Sequence, residues 1–209
     1  MFTPAKRLSK ITISASAAMS DLARELKAQG LQVISLSSGE PDFQTPAPAL
    51  EAARIAAESG DTKYPPQKGT VKLLEAVQRK FLRDNELSYE LSELLTGNGA
   101  KQLIFDAIMC SCNSGDEVII PAPGWITYAD IVHLADATPV SVPCLEEDNF
   151  QLNPAALEAA ITDKTKWLLL NFPNNPSGAA GSPKDLRAIA DVLLAHPHVW
   201  VLTDDIYEH

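Results

Sequence analysis

The residues best suited to chemistry lie in four loops, each placed after a stretch that reads as a strand. Gly97-Asn98-Gly99-Ala100-Lys101-Gln102 opens a helix. The unpaired N–H groups and positive dipole end of a helix N-terminus hold anions, phosphate above all. The segment lacks the third glycine of a dinucleotide fingerprint and the Gly-Lys-Ser/Thr of a P-loop. A plain glycine turn and a phosphate cradle therefore both stay open. Trp125, after Pro123-Gly124, is either core or a flat face for a planar ligand. Asn175 sits in Asn174-Asn175-Pro176. It is a turn former whose amide could also donate to a ligand oxygen, and its bond to Pro176 is a candidate cis peptide. The apolar run 199–203 ends in Asp204-Asp205, with Tyr207 close behind. These carboxylates are either solvated turn formers or a site at the carboxyl end of a buried strand.

One planar, phosphorylated ligand would explain all four loops together. A carboxylate at Asp204 facing a protonated ring nitrogen is what a pyridoxal cofactor requires, because the protonated ring can take up carbanion electrons. Tyr207 would then hydrogen-bond the ring's phenolate oxygen.

The elements that must position these loops follow from periodicity and punctuation. Residues 1–19 read as an arm. Ser20 is expected to N-cap a helix ending at Gly30, and 33–36 to form a short strand. Residues 48–59 read as a helix closed by Gly60. Pro65-Pro66 forbids helix, and Thr70 caps a helix with Leu73, Val77 and Phe81 on one face. From residue 94 strands and helices alternate: strands at 94–96, 117–121, 138–143, 167–171 and 199–204, helices at 100–112, 126–135 and 154–161, and a helix opening at 183 with Leu186, Ile189, Ala190 and Leu193 inward. Asn153-Pro154 and Ser182-Pro183 mark two of the helix starts. This alternation predicts an α/β fold with a largely parallel sheet, and parallel strands send their carboxyl-end loops to one edge.

Composition narrows the partners. The 209 residues carry 27 acidic and 17 basic side chains, a formal charge of −10. No basic field would draw nucleic acid or an anionic membrane surface. No apolar run is long enough to span a bilayer. Lys6, Arg7 and Lys10 before 11–19 outline a signal peptide, but the run is laced with Ser, Thr and Ala and no clear cleavage site follows. A cytoplasmic protein is expected. Cys110, Cys112 and Cys144 form no framework and read as buried thiols.

Six ordered segments then resemble the class I, fold-type I pyridoxal-phosphate aminotransferases, in particular the bacterial aspartate aminotransferases. They are Ser38-Gly39-Glu40-Pro41-Asp42-Phe43, Thr62-Lys63-Tyr64-Pro65-Pro66, the segment 97–102, Gly115 to Pro123 with Trp125, Asn171 to Gly178, and Thr203 to His209. The resemblance implies the large domain of that fold, mostly parallel sheet flanked by helices, over 46–209 and incomplete at its C-terminus. Residues 1–45 would be the N-terminal arm and a small-domain segment. It implies that Gly99, Ala100 and Lys101 bind the cofactor phosphate and Trp125 stacks on its ring. Asn175 and Tyr207 would hold the phenolate oxygen, with Asp204 paired to the ring nitrogen. Gly39 would bind the substrate α-carboxylate and Lys101 the distal carboxylate of aspartate, with Trp125 and Asn175 also facing substrate. Tyr64 would reach the cofactor phosphate of a partner subunit, hence a homodimer. The implied reaction moves the amino group of an L-amino acid, aspartate first, to 2-oxoglutarate. Aromatic, alanine and prephenate aminotransferases are the neighbouring activities, and a non-catalytic binding module is the alternative class.

Three departures bear on these expectations. Gly124 stands where many relatives carry a larger residue, which would loosen the loop before Trp125. Thr12 stands where prephenate-using relatives carry a lysine. The Schiff-base lysine, and two arginines that bind carboxylate and phosphate, would lie beyond the position of His209. The catalytic set is thus expected to be absent from residues 1–209, and this chain by itself to be inactive in transamination.

Overall fold

The computed structural model describes residues 3–11, 14–37 and 39–209. Thr12 and Ser38, both weighed above, lie outside them. The chain divides into two compact units, one of Met1–Ser14 with Gly99–His209 and one of Ala15–Asn98.

The unit of Ala15–Asn98 is helical. Helix α1 spans Ala15–Ala28, α2 Ala47–Glu58 and α3 Val71–Asn85. Helix α1 starts five residues before the expected Ser20 cap, because the alanine-rich 15–18 stretch extends the helix. The Ser20 hydroxyl instead lies 2.9 Å from that of Ser37. Gly30 ends the helix with φ +84°, and the Leu31 N–H returns to the Leu26 carbonyl. Thr70 caps α3 as expected, its side chain accepting from the Leu73 N–H at 3.3 Å.

Two expected strands are not formed. Segment 33–36 pairs with no strand among the described residues, and Ile34 and Leu36 are 89% and 92% exposed. Segment 94–96 follows a 3₁₀ turn and is tied to the preceding loop by one backbone bond, Thr96 N–H to the Lys68 carbonyl. A strand-like sequence becomes a strand only where a neighbour offers a ladder. The tie also explains Gly69: with φ +109°, a side chain there would run into Thr96 Oγ1.

The other unit holds the sheet. Helix α4 spans Ala100–Ser111 and strand β1 Glu117–Ala122, followed by α5 Thr127–Leu134 and β2 Thr138–Pro143. Next come α6 Pro154–Ala160, β3 Thr165–Leu170, α7 Pro183–Ala195 and β4 Trp200–Thr203. All pairings are parallel, in the order β2-β1-β3-β4. Alternation sends side chains to both faces. Val118, Ile120 and Leu169 pack with Ile104 and Ile108 of α4 and Ile131 and Val132 of α5. Ile119, Leu168 and Leu170 pack with Leu157 of α6 and Ile189 of α7. Helices thus cover both faces, as a parallel sheet demands. Asn153 caps α6, accepting from the N–H groups of Ala155 and Ala156, and Ser182 caps α7, accepting from that of Asp185.

This order has a consequence for the site. From β1 the chain crosses to β2 on one side, then returns to β3 on the other. The crevice outside the carboxyl ends of β1 and β3 is where open α/β sheets bind ligands. Among the described residues no helix is long and apolar enough to cross a membrane. All three cysteines are free. Cys112 and Cys144 are buried, whereas Cys110, two residues from Cys112 on α4, is exposed, contrary to the expectation for it.

Candidate cofactor site

Asp204 immediately follows β4 and is buried, while Asp205 is exposed. Four contacts fix it. Its N–H donates to the Leu170 carbonyl at 2.8 Å, continuing the β3–β4 ladder by one residue. Its carbonyl accepts from the Asn171 side-chain amide at 2.7 Å. Oδ2 accepts from the Tyr128 hydroxyl at 2.7 Å. Oδ1 receives only a long 3.4 Å contact from the Ile206 N–H. One carboxylate oxygen is thereby committed to the protein and the other left with acceptor capacity.

Tyr128, on the first turn of α5, is 4% exposed. Burial, reinforced by the bond to Asp204, pushes its hydroxyl far above the usual tyrosine range. It therefore remains a neutral donor. Its ring meets that of Trp125 edge to face, centroids 5.2 Å apart at 87°, a favoured aromatic geometry. The loop carrying Trp125 depends on Gly124. A Cβ there would stand 2.7 Å from the Pro121 carbonyl oxygen. The glycine is a point of close backbone approach.

The 171–178 loop is built by Asn174, which holds its turn through Ser177, Gly178 and Ala179. Asn175 is aimed by the preceding strand end, its N–H donating to Asn171 Oδ1 at 2.8 Å. The Asn175–Pro176 bond is cis, as anticipated. No hydrogen bond engages the Asn175 side-chain amide among the described residues, so it is free to donate. Gly99 (φ +86°) precedes α4 and provides no side-chain cap, leaving the N–H groups of Ala100 and Lys101 for an anion. Lys101 on its first turn places Nζ 4.8 Å from the Trp125 ring centroid.

These parts line one cleft: Ala100, Lys101, Trp125, Asn175, Asp204 and Tyr207, joined by Tyr128, Asn171 and Ile206. Six of the expected residues are thus brought together, with Gly99 adjacent in sequence to Ala100. Gly39 and Tyr64 belong to the other unit. Gly39 lies in an exposed loop, and Tyr64 is fully exposed between α2 and α3. Tyr128 and Asn171 were not singled out as site residues from the sequence. A tyrosine three positions after Trp125 carried the only available signal, and it reads equally as core.

The arrangement offers an anion cradle, an aromatic face, a neutral amide donor, a phenol and a buried carboxylate. The model of the class I and II aminotransferases matches residues 32–209. The chain is similar to the aspartate aminotransferase of Rhizobium meliloti strain 1021, 49% identical over 208 residues that cover 100% of this chain and 51% of that protein. It is also similar to the aspartate/prephenate aminotransferase of Cereibacter sphaeroides, 46% identical over 202 residues, 97% of this chain and 50% of that one. The crystal structure of the Rhizobium meliloti aspartate aminotransferase superposes with a TM-score of 0.96, covering 100% of this chain and 52% of its own. The aspartate aminotransferase of Thermus thermophilus with maleate, 39% identical, gives 0.96 with 100% and 55% covered. The chain spans about half the length of the curated relatives it matches. Matched over most of its length by the family model, this chain belongs to the class I and II aminotransferases, a family of pyridoxal-phosphate-dependent transferases.

Proposed function

We propose that the protein moves the amino group of an L-amino acid, aspartate by preference, to 2-oxoglutarate with pyridoxal 5′-phosphate as cofactor. The observation that carries this reading is the convergence of an uncapped helix N-terminus, an aromatic face and a buried carboxylate on one cleft. The donor set fits the cofactor group by group. N–H groups at the start of α4 suit a phosphate dianion. Trp125 suits a planar ring. The Asn175 amide and the Tyr207 hydroxyl suit a phenolate oxygen. Asp204 has one oxygen left to accept from a ring N–H.

When bound, the cofactor supplies an electron sink for the carbanion formed at the substrate Cα. In this reading Asp204 keeps a proton on the ring nitrogen. Asn175 and Tyr207 hold the phenolate oxygen, and Gly99, Ala100 and Lys101 hold the phosphate. The Lys101 ammonium also meets the distal carboxylate of an acidic substrate, and Gly39 the α-carboxylate. Tyr64 serves the site of a second subunit, which makes the working form a homodimer. The roles of Gly39 and Tyr64 rest on the family resemblance alone.

Two experiments test this. Calorimetric titration of residues 1–209 with pyridoxamine 5′-phosphate tests the cofactor site, and absence of binding rejects it. A panel of amino donors with 2-oxoglutarate tests the substrate. It uses a protein that includes the cofactor lysine the resemblance places after residue 209. Aspartate is expected to be the preferred donor, and preference for an aromatic amino acid or alanine would reject the assignment. Prephenate belongs in the panel as an oxo-acid acceptor, because the Cereibacter sphaeroides relative is named for it.

A further inference from the structure

We infer that Tyr128 is a positioning residue for the cofactor nitrogen, acting through Asp204. This inference rests on the cofactor reading above. A carboxylate at a strand end can rotate about its last bond and present either oxygen, or both, to a ligand. Here the Tyr128 hydroxyl donates to Oδ2 at 2.7 Å from a buried site, while Oδ1 receives only the long 3.4 Å contact from the Ile206 N–H and is the less engaged oxygen. The same ring packs edge-on to Trp125 at 5.2 Å. A single side chain thereby fixes the carboxylate that meets the ring nitrogen and the aromatic face on which the ring lies. Asn171 supports the arrangement from the backbone side, bonding the Asp204 carbonyl through Nδ2 and the Asn175 N–H through Oδ1. Every donor in this brace is neutral. Burial holds the ionisation of the hydroxyl far above ordinary tyrosine values, so it serves as a donor.

The consequence is specific to the ring nitrogen. A group that orients Asp204 matters to a ligand that donates to Asp204, and not to one of the same shape that cannot. The test compares the binding of pyridoxamine 5′-phosphate with that of its carbocyclic analogue, in which C–H replaces the ring nitrogen. Wild type, Tyr128→Phe, Asp204→Asn and the double variant are titrated by calorimetry. Tyr128→Phe is expected to weaken pyridoxamine phosphate about 10-fold, the scale of one charge-assisted hydrogen bond. It should weaken the analogue less than ~2-fold, and in the Asp204→Asn background cost pyridoxamine phosphate no more than that, since coupled residues are non-additive. Equal weakening of both ligands, or the same loss in both backgrounds, would reduce Tyr128 to a packing residue and overturn the proposal. If Tyr128→Phe loses its folded circular dichroism signal, Tyr128→His, an aromatic ring with an N–H donor, replaces it. Retained preference for the nitrogen ligand supports the proposal, and a folded His variant without that preference overturns it. Failure of wild type to bind pyridoxamine phosphate rejects the cofactor reading and this inference with it, and is distinct from the Tyr128 outcomes.

Discussion

Asp204 is held by three strong hydrogen bonds and one long one, and its neighbours depend on it in turn. Asp204→Ala leaves the buried Tyr128 hydroxyl without its acceptor and should cost about 1–3 kcal/mol of stability. Urea unfolding of the wild type and variant measures this, and an unchanged midpoint would mean that Tyr128 finds another acceptor. Gly124 makes an equally local prediction. Because its Cβ position lies 2.7 Å from the Pro121 carbonyl oxygen, Gly124→Phe must displace backbone. A loss of about 1–3 kcal/mol is expected, the usual cost of overpacking, together with loss of the near-ultraviolet signal of the Trp125–Tyr128 pair. Retention of both would show that the loop yields easily. At this scale the sequence revealed residue types more readily than contacts. Asp204, Asn175 and Trp125 stand at strand ends next to turn residues, and each is marked by that punctuation. Tyr128 is 76 positions from Asp204, and no periodicity links them. Its spacing from Trp125 across a loop–helix junction says nothing of a contact with Asp204.

Among the helices of the sheet-bearing unit, α6 and α7 carry side-chain caps at their N-termini, whereas α4 and α5 do not. Asn153→Ala and Ser182→Ala should each destabilise by about 1 kcal/mol, the ordinary value of a cap, and should leave cofactor affinity unchanged because α6 and α7 do not line the cleft. A change in pyridoxamine phosphate binding in either variant would contradict that separation. The four strands of the sheet were legible because apolar, β-branched runs lie between glycine, proline and asparagine punctuation. Segments 33–36 and 94–96 carry similar short apolar runs but pair with no strand among the described residues, since a ladder is a property of two segments and a sequence window shows one. The start of α1 at Ala15 departs from the expected Ser20 cap for a related reason. Ser20 has the chemistry of a cap, yet the alanines before it prefer to continue the helix.

At the scale of the whole molecule, buried acidic hydrogens set the response to alkali. Burial raises the ionisation of Tyr128, Cys112 and Cys144 in the folded state. Each keeps its proton in the fold at pH values where the unfolded chain releases it. The corresponding stability is fully present below the unfolded values, near ~8.5 for cysteine and ~10 for tyrosine, and declines as pH rises above them. Thermal unfolding is therefore expected to fall steadily above about pH 8.5 and more steeply above about pH 10. Tyr128→Phe should remove the steeper part and leave the first, and an identical alkaline profile in that variant would refute the assignment. The resemblance extends over the whole chain because six motifs recur in order. A cleft built from residues 100 to 207 becomes visible only when the parallel sheet brings their loops to one edge.

The central claim is that one cleft receives a planar, phosphorylated ring whose nitrogen meets Asp204. Calorimetric titration of the chain with pyridoxamine 5′-phosphate, for wild type and Asp204→Ala, tests it most directly. The predicted result is one site per chain, weakened at least ~30-fold by the substitution, the equivalent of roughly 2 kcal/mol for an unpaired buried charge partner. Equal affinity in the two proteins, or an affinity no greater than that for inorganic phosphate, would contradict the account.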